Sequence, residues 1–293
     1  MKKKVLATVL AAAMTAMMLA GCGSGSGSGD GAADTAEAAE TAEAKEEAEA
    51  EPTKAEEPTD VYVFIAASLK NTMEEIKTNY EKDHPDVNII YSADSSGTLQ
   101  TQIEEGAQCD IFFSAATKQM DALSEGGYVI DGSVTNLLEN KIVLIKPTGG
   151  ETAVTGFDNI TDASSLALAG EDVPVGQYAR ELFTNIGILD KVNEMEINEG
   201  ANVTAVLTAV AEGSNEVGVV YKTDAASMPD DVEVITEATA DQVSPAIYPV
   251  GLIKDDQAAD GEADAAAAFK DYLTTDESAM TLFTEAGFTQ YKE

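Results

Sequence analysis

Short apolar runs alternate with amphipathic stretches in the part of the chain that begins at residue 61. The first run, 61 to 67, is followed by four apolar residues at Leu69, Met73, Ile76 and Tyr80. Their spacings of four, three and four residues place them on one face of a helix, so the pattern predicts a strand that leads directly into a helix. The same order recurs at 87 to 105 and from Asp110 onward. Alternating strands and helices of these lengths predict a parallel sheet covered by helices.

A second series of the same kind follows Asn140. Its apolar runs and the starts of its helices fall at 142 to 145, Pro174, Val203 and 217 to 221. After residue 248 the pattern leaves one strand and two short helices, which are too few for a third domain. We therefore predict an α/β protein with two lobes, in which 61–140 plus 249–293 form the first and 141–248 form the second. The chain would cross between the lobes near residues 140 and 248.

The N-terminal 60 residues predict export of the protein. Three lysines precede an apolar stretch that ends in Leu19-Ala20-Gly21-Cys22, which is typical of a lipoprotein signal peptide over residues 1–21. A transmembrane helix is the alternative, but the stretch is shorter than the roughly 20 residues that cross a bilayer. Residues 22–60 combine a Gly/Ser repeat with an Ala/Glu-rich acidic tract, which predicts a disordered tether. Cys22 is the expected lipidation site, and its lipid would anchor the protein to the cell membrane.

Charge and cysteine content narrow the classes of function. The formal net charge of −36 repels nucleic acid phosphates, so nucleic acid is not an expected partner. If Cys22 is lipidated, Cys109 has no partner for a disulfide, and its apolar surroundings indicate a buried residue of a strand. The sequence contains no cysteine and histidine spacing typical of a metal site. We therefore expect that the protein has no cofactor and no site for a free metal ion.

Four turns that begin helices offer another kind of site. They are Ala67-Ser68-Leu69, Ser95-Ser96-Gly97-Thr98, Val173-Pro174-Val175-Gly176 and Gly200-Ala201-Asn202-Val203. A helix start has up to four backbone N–H groups without an intrahelical partner and carries about half a positive charge, so it can bind an anion without Lys or Arg. One such turn by itself is more often a simple helix cap. Four of them, two in each predicted lobe, favour a shared anion site.

Several segments, taken in order, resemble the molybdate-binding proteins of ABC importers. They are VYVFIAASL at 61–69, SSGTL at 95–99, Ala107 with DIFFSA at 110–115, VPVGQYA at 173–179, VGVVY at 217–221 and AGFT at 286–289. The resemblance covers nearly all of residues 61–293 and implies a periplasmic-binding-protein-like (type II) fold with a ligand cleft between two lobes. It also implies an extracytoplasmic, monomeric protein without enzymatic activity that delivers molybdate or tungstate to a membrane permease.

The family's ligand residues are carried over by position. The resemblance implies hydroxyl and backbone N–H groups from Ser68 and Ser96, backbone N–H groups from Val175 and Val203, and the phenol of Tyr221. Two positions depart from the family. Gly97 stands where serine is common and is expected to loosen its turn, whereas Val175 replaces a common alanine and changes only the pocket volume, because a backbone donor tolerates the substitution.

The hydrogen-bond donors at these five positions distinguish some of the candidate ligands and functions from one another. Molybdate is a dianion without a proton, and hydroxyl and amide groups can all donate to it, whereas hydrogenphosphate would favour an acceptor. Sulfate stays open, because it differs mainly in being smaller. A surface scaffold lipoprotein that binds no oxyanion also stays open. A serine hydrolase is disfavoured, because the one histidine, His84, lies in a polar turn and no GxSxG or SxxK motif occurs.

Overall fold

The computed structural model describes residues 57–292, so the predicted signal peptide, Cys22 and nearly all of the tether lie outside the described residues. The strands are, in chain order, β1 (Thr59–Ala66), β2 (Val87–Asp94), β3 (Ile111–Phe113), β4 (Thr135–Asn140), β5 (Ile142–Pro147), β6 (Leu166–Ala169), β7 (Ile197–Gly200), β8 (Val217–Tyr221), β9 (Val232–Glu237), β10 (Ala246–Leu252) and β11 (Thr289–Gln290). The helices are α1 (Lys70–Asp83), α2 (Ser96–Glu104), α3 (Thr117–Glu125), α4 (Pro174–Asn185), α5 (Leu189–Val192), α6 (Val203–Ala211), α7 (Lys222–Ser227), α8 (Glu262–Thr275) and α9 (Glu277–Glu285). Two 3₁₀ helices lie at Ala67–Leu69 and Phe157–Asp162.

The strands form two mixed sheets. The first has the order β11-β4-β10-β3-β1-β2 and the second has the order β7-β6-β8-β5-β9. Parallel pairing, as predicted, joins β1 to β2 and β3 and joins β6 to β7 and β8. The remaining pairs, which involve β4, β5, β9, β10 and β11, are antiparallel. The α/β class is therefore confirmed, although the sheets are mixed rather than purely parallel.

The chain passes between the sheets at two places. Lys141 separates β4 of the first sheet from β5 of the second, and 238–245 separates β9 from β10. We call the elements around the six-stranded sheet the first half and those around the five-stranded sheet the second half. The predicted lobe boundaries stay a prediction, because membership of a sheet does not show that a half is an independent unit.

The C-terminal helices complete the first half. The Phe269 ring of α8 lies 4.7 Å from the Tyr80 ring of α1, and the Phe283 ring of α9 lies 5.9 Å from the Phe113 ring of β3. Such edge-to-face pairs add to the stabilisation from apolar burial. Cys109 is free and 1% exposed, which confirms the predicted burial, but it lies two residues before β3 and is not part of a strand. Within residues 57–292, every helix is too short or too polar to span a bilayer.

Candidate functional site

A small cavity lies where the ends of β1, β2 and β8 meet the starts of α2, α4 and α6. Its walls are Ala66, Ala67, Ser68, Asp94, Ser95, Ser96, Ala115, Val173, Pro174, Val175, Val203 and Tyr221. The cavity volume is about 10 Å³, so this arrangement suits only a small occupant. All five sequence-predicted ligand residues are among the walls, and residues of both halves contribute. Their role as ligands stays a prediction.

Ser68 is held by a buried tyrosine that the sequence reasoning missed. The Ser68 Oγ lies 2.9 Å from the Tyr248 Oη, and the Tyr248 Oη accepts a hydrogen bond from the Asn140 Nδ2 at 3.3 Å. Because the Tyr248 hydroxyl accepts from Asn140, its own proton can be donated to Ser68. The Ser68 proton is then free for a ligand. A pairing between residues 180 positions apart leaves no signal in the local sequence pattern.

The two serines at the start of α2 have different roles. The Ser95 side chain is the N-cap, since its Oγ accepts a hydrogen bond from the Thr98 N–H at 3.1 Å. The Ser96 side chain is 1% exposed, and its Oγ accepts a hydrogen bond from the Ala115 N–H at 2.9 Å. Because this bond uses a lone pair, the Ser96 proton also remains available to a ligand.

The second half contributes two helix N-termini. Helix α4 begins with Pro174, which has no N–H, so the Val175 N–H is the first backbone donor of that helix. Helix α6 begins with Val203, and its N-cap Asn202 accepts from the Ala205 N–H at 3.0 Å rather than from Val203. N–H groups in the first turn lack intrahelical partners, so both valines can donate into the cavity.

Tyr221 contributes a buried phenol hydroxyl to the wall of the cavity. Its side chain is 1% exposed, and within residues 57–292 its hydroxyl has no hydrogen-bond partner. Its ring packs edge-on against Tyr248 with centroids 5.6 Å apart. Burial raises the pKa of Tyr221 well above its ordinary value, so the phenol keeps its proton and acts as a donor. A buried hydroxyl without a partner costs about 1–3 kcal/mol, which an acceptor in the cavity would offset.

Asp94 is an acidic wall residue that the sequence reasoning did not single out. Its Oδ1 accepts hydrogen bonds from the Ser95 N–H at 2.7 Å and from the Asn202 Nδ2 at 3.0 Å. Asp94 ends β2 of the first half, whereas Asn202 precedes α6 of the second half. The cavity is therefore not lined by donors alone. In the sequence, Asp94 resembles any polar residue that ends a strand.

Gly97 has a role other than the one expected from its sequence. A Cβ atom at this position would collide with the backbone carbonyl oxygen of Asp172, which belongs to the second half. Glycine thus permits a close approach between α2 and the segment before α4. This close approach was not expected from the sequence, and the looser turn stays a prediction.

Positive charge near the cavity is compensated by protein groups. Arg180, the one arginine of the sequence, donates through Nη1 to the Ala169 carbonyl at 2.7 Å and to the Gly176 carbonyl at 3.0 Å. Its guanidinium also lies 3.7 Å from Glu171 and 3.8 Å from Glu199. Arg180 is not among the cavity walls. Any anion bound in the cavity would therefore be held by neutral donors and helix dipoles.

Among residues 57–292, one group of carboxylates is compact enough to hold a metal ion. Asp110, Asp255 and Glu262 place one oxygen each within 4.8 Å of one another. The pKa of Asp110 is raised to about 7, because burial and the charges of Glu262 and Asp255 outweigh the lowering effect of the Tyr62 N–H. None of the three lines the cavity.

Helix starts from two α/β halves around a small shared cavity define the architecture of a solute-binding protein. The family described as bacterial extracellular solute-binding protein matches residues 61–289, and the chain belongs to this family. The protein is accordingly extracytoplasmic. Its family binds solutes and is not one of enzymes, which confirms the prediction that the chain has no enzymatic activity.

Three relatives illustrate the similarity. A Bacillus subtilis (strain 168) protein titled "Putative ABC transporter substrate-binding lipoprotein YvgL" is 41% identical over 76% of this chain and 84% of its own length. Molybdate-binding protein ModA of Haemophilus influenzae is 34% identical over 76% and 87%. The solved "substrate binding domain of putative molybdenum ABC transporter from Clostridium difficile" has 33% identity and a TM-score of 0.60, over 80% of this chain and 99% of that chain. The predicted resemblance and the predicted fold are thus confirmed.

Proposed function

We propose that this protein is the molybdate- or tungstate-binding component of an ABC importer. The observation that carries the proposal is the buried Tyr221 hydroxyl, which lacks a partner within residues 57–292 and lines the same cavity as Ser68 and Ser96. The Ser96 proton is free to donate, the Ser68 proton is free when the Tyr248 hydroxyl donates to Ser68, and the Val175 and Val203 N–H groups complete the set. Five neutral donors from two halves suit a tetrahedral dianion, which can only accept.

Energetics favour such a site inside an acidic protein. A hydrogen bond to a charged group contributes about 1.5–3 kcal/mol, so all five donors together are needed to approach the roughly 8 kcal/mol of micromolar binding after the cost of association. The starts of α4 and α6 add dipoles of the right sign without a lysine or arginine among the cavity walls. Neutral donors also avoid the cost of burying a cation beside the anion.

The choice of anion is supported by the relatives. The Haemophilus influenzae protein is named for molybdate and the Clostridium difficile structure for molybdenum. Sulfate has the same charge and shape but is smaller, so a cavity sized for molybdate would leave its donors farther from the sulfate oxygens. Tungstate is expected to bind as molybdate does. Asp94 adds an acceptor to the walls, so hydrogenphosphate is a necessary competitor in any test.

Melting curves test the proposal directly. The purified protein should melt at a higher temperature with molybdate or tungstate, because a ligand at about 100 times its dissociation constant adds roughly 2.7 kcal/mol to the free energy of unfolding. Sulfate and phosphate at equal concentration should raise the melting temperature less. An unchanged melting temperature with all four anions would contradict the proposal and favour a scaffold lipoprotein. A larger rise with sulfate would reassign the ligand.

We also propose that the protein is a monomer tethered to the membrane by a lipid on Cys22. The leader sequence and the name of the Bacillus subtilis relative, which calls it a lipoprotein, support the anchor. The names of the relatives, which refer to ABC transporters, support a membrane permease as the partner. Changing Cys22 to Ala should move the protein from the membrane fraction to the soluble fraction of cells, measured by immunoblot. Retention of the Cys22→Ala variant in washed membranes, with the leader removed, would show that membrane attachment does not depend on this residue.

A further inference from the structure

Asp94 connects the two halves of the molecule at the wall of the cavity. Its Oδ1 accepts from the Asn202 side-chain amide across the interface and from the Ser95 N–H within its own half. The Asn202 Oδ1 meanwhile accepts from the Ala205 N–H and caps α6. One amide side chain therefore ties the start of α6 to the end of β2. The next residue is Val203, whose N–H is a proposed donor to the anion.

The carboxylate of Asp94 is an unexpected group in the wall of a cavity that is proposed to bind an anion. The negative charge of Asp94 repels the anion. If charge were the only effect, a protein with an uncharged residue at this position would bind a dianion more tightly. The hydrogen bonds of Asp94 supply an opposing effect, because bonds to a charged acceptor are stronger than bonds between neutral groups. A net gain follows if these bonds hold the donors of the second half in place.

Gly97 shows that the same segment is a contact surface for the second half. Its missing side chain accommodates the backbone carbonyl of Asp172, which lies two residues before α4. The end of β2 and the first turn of α2 thus meet the segments that precede both α4 and α6. These two helices carry the proposed Val175 and Val203 donors.

We propose that Asp94 is a positioning residue that stabilises the closed arrangement by holding Asn202, so that the start of α6 presents the Val203 N–H to the oxyanion. The inference rests on the proposed function and deepens it. Asp94 acts through Asn202, and it therefore governs how long the anion stays bound more than how fast it arrives.

Two substitutions at Asp94 separate positioning from charge. Asp94→Ala removes both hydrogen bonds and should weaken molybdate binding at least about tenfold, mainly through faster dissociation. Asp94→Asn can accept the same two bonds, although more weakly, and does not repel the dianion, so it should bind more tightly than Asp94→Ala. Calorimetry and stopped-flow measurements would give the affinities and rates. If both variants bind more tightly, Asp94 only repels the anion and the inference is overturned.

A second pair of variants tests the connection to Asn202. Asn202→Ser keeps a capping oxygen for α6 but loses the amide that reaches Asp94, so it should also speed dissociation. In this background, Asp94→Ala should change the affinity by less than about twofold, since the shared bond is already absent. If the two substitutions instead lower the affinity by independent factors that multiply, the inference is overturned. These affinities can be measured even if one variant is less stable. If the wild-type protein does not bind molybdate, the proposed function and this inference are overturned together. If the wild-type protein binds molybdate and the Asp94→Ala variant binds it with the same affinity, only the inference is overturned.

Discussion

Gly97→Ala is expected to weaken oxyanion binding by roughly 100-fold or more, without lowering the stability of the ligand-free protein. The new methyl group would collide with the Asp172 carbonyl and hold the two halves apart. The donors of the second half would then not reach the anion, and loss of two bonds to a charged group costs about 3–6 kcal/mol. Alanine is also more favourable than glycine within a helix by about 0.5–1 kcal/mol, so the free protein should be at least as stable.

Calorimetric titration and melting of the ligand-free protein measure these two effects separately. Gly156→Ala is a matched control, because nothing lies within 4 Å of a Cβ atom at that position and its backbone is extended. It should leave the affinity unchanged. If Gly97→Ala binds molybdate as the wild-type protein does, the close approach of the halves is not needed for binding.

Tyr221→Phe is expected to change affinity and stability in opposite directions. Loss of the phenol removes one donor to the anion and should weaken binding by about 1.5–3 kcal/mol, or roughly 10- to 150-fold. The same change removes a buried hydroxyl that has no partner within residues 57–292, so the ligand-free protein should be more stable by on the order of 1 kcal/mol. Binding is measured by calorimetry and stability by denaturant titration.

Tyr248→Phe is the matched control for this prediction. The Tyr248 ring is equally buried, but its hydroxyl is paired with Ser68 and Asn140. Its removal should therefore lower the stability of the ligand-free protein, because the Asn140 amide loses one of its acceptors. A Tyr221→Phe variant that is less stable and binds with unchanged affinity would show that the Tyr221 hydroxyl has a structural role and no ligand.

Sequence reasoning succeeded where the relevant physics is local. The start of α4 at Pro174 and of α6 at Val203 agrees with the structure, because proline and asparagine favour these helix positions. Strand β8 was predicted at its observed bounds, since an apolar run such as 217–221 is typical of a buried strand. Strands β4 and β9 were not predicted, because partly exposed strands lack a continuous apolar pattern.

The amino-acid sequence by itself determined the α/β class, the helix starts with free N–H groups and, through the resemblance, which five residues to expect at one site. Only the tertiary structure decided that Tyr248 holds Ser68, that Asp94 holds Asn202 and that Gly97 makes room for Asp172. The reason is that helix and strand patterns reflect neighbours a few positions apart, whereas the pairs around the cavity are separated by as many as 180 positions. Such contacts depend on the order of strands within a sheet and on how the two halves meet, which no local pattern encodes.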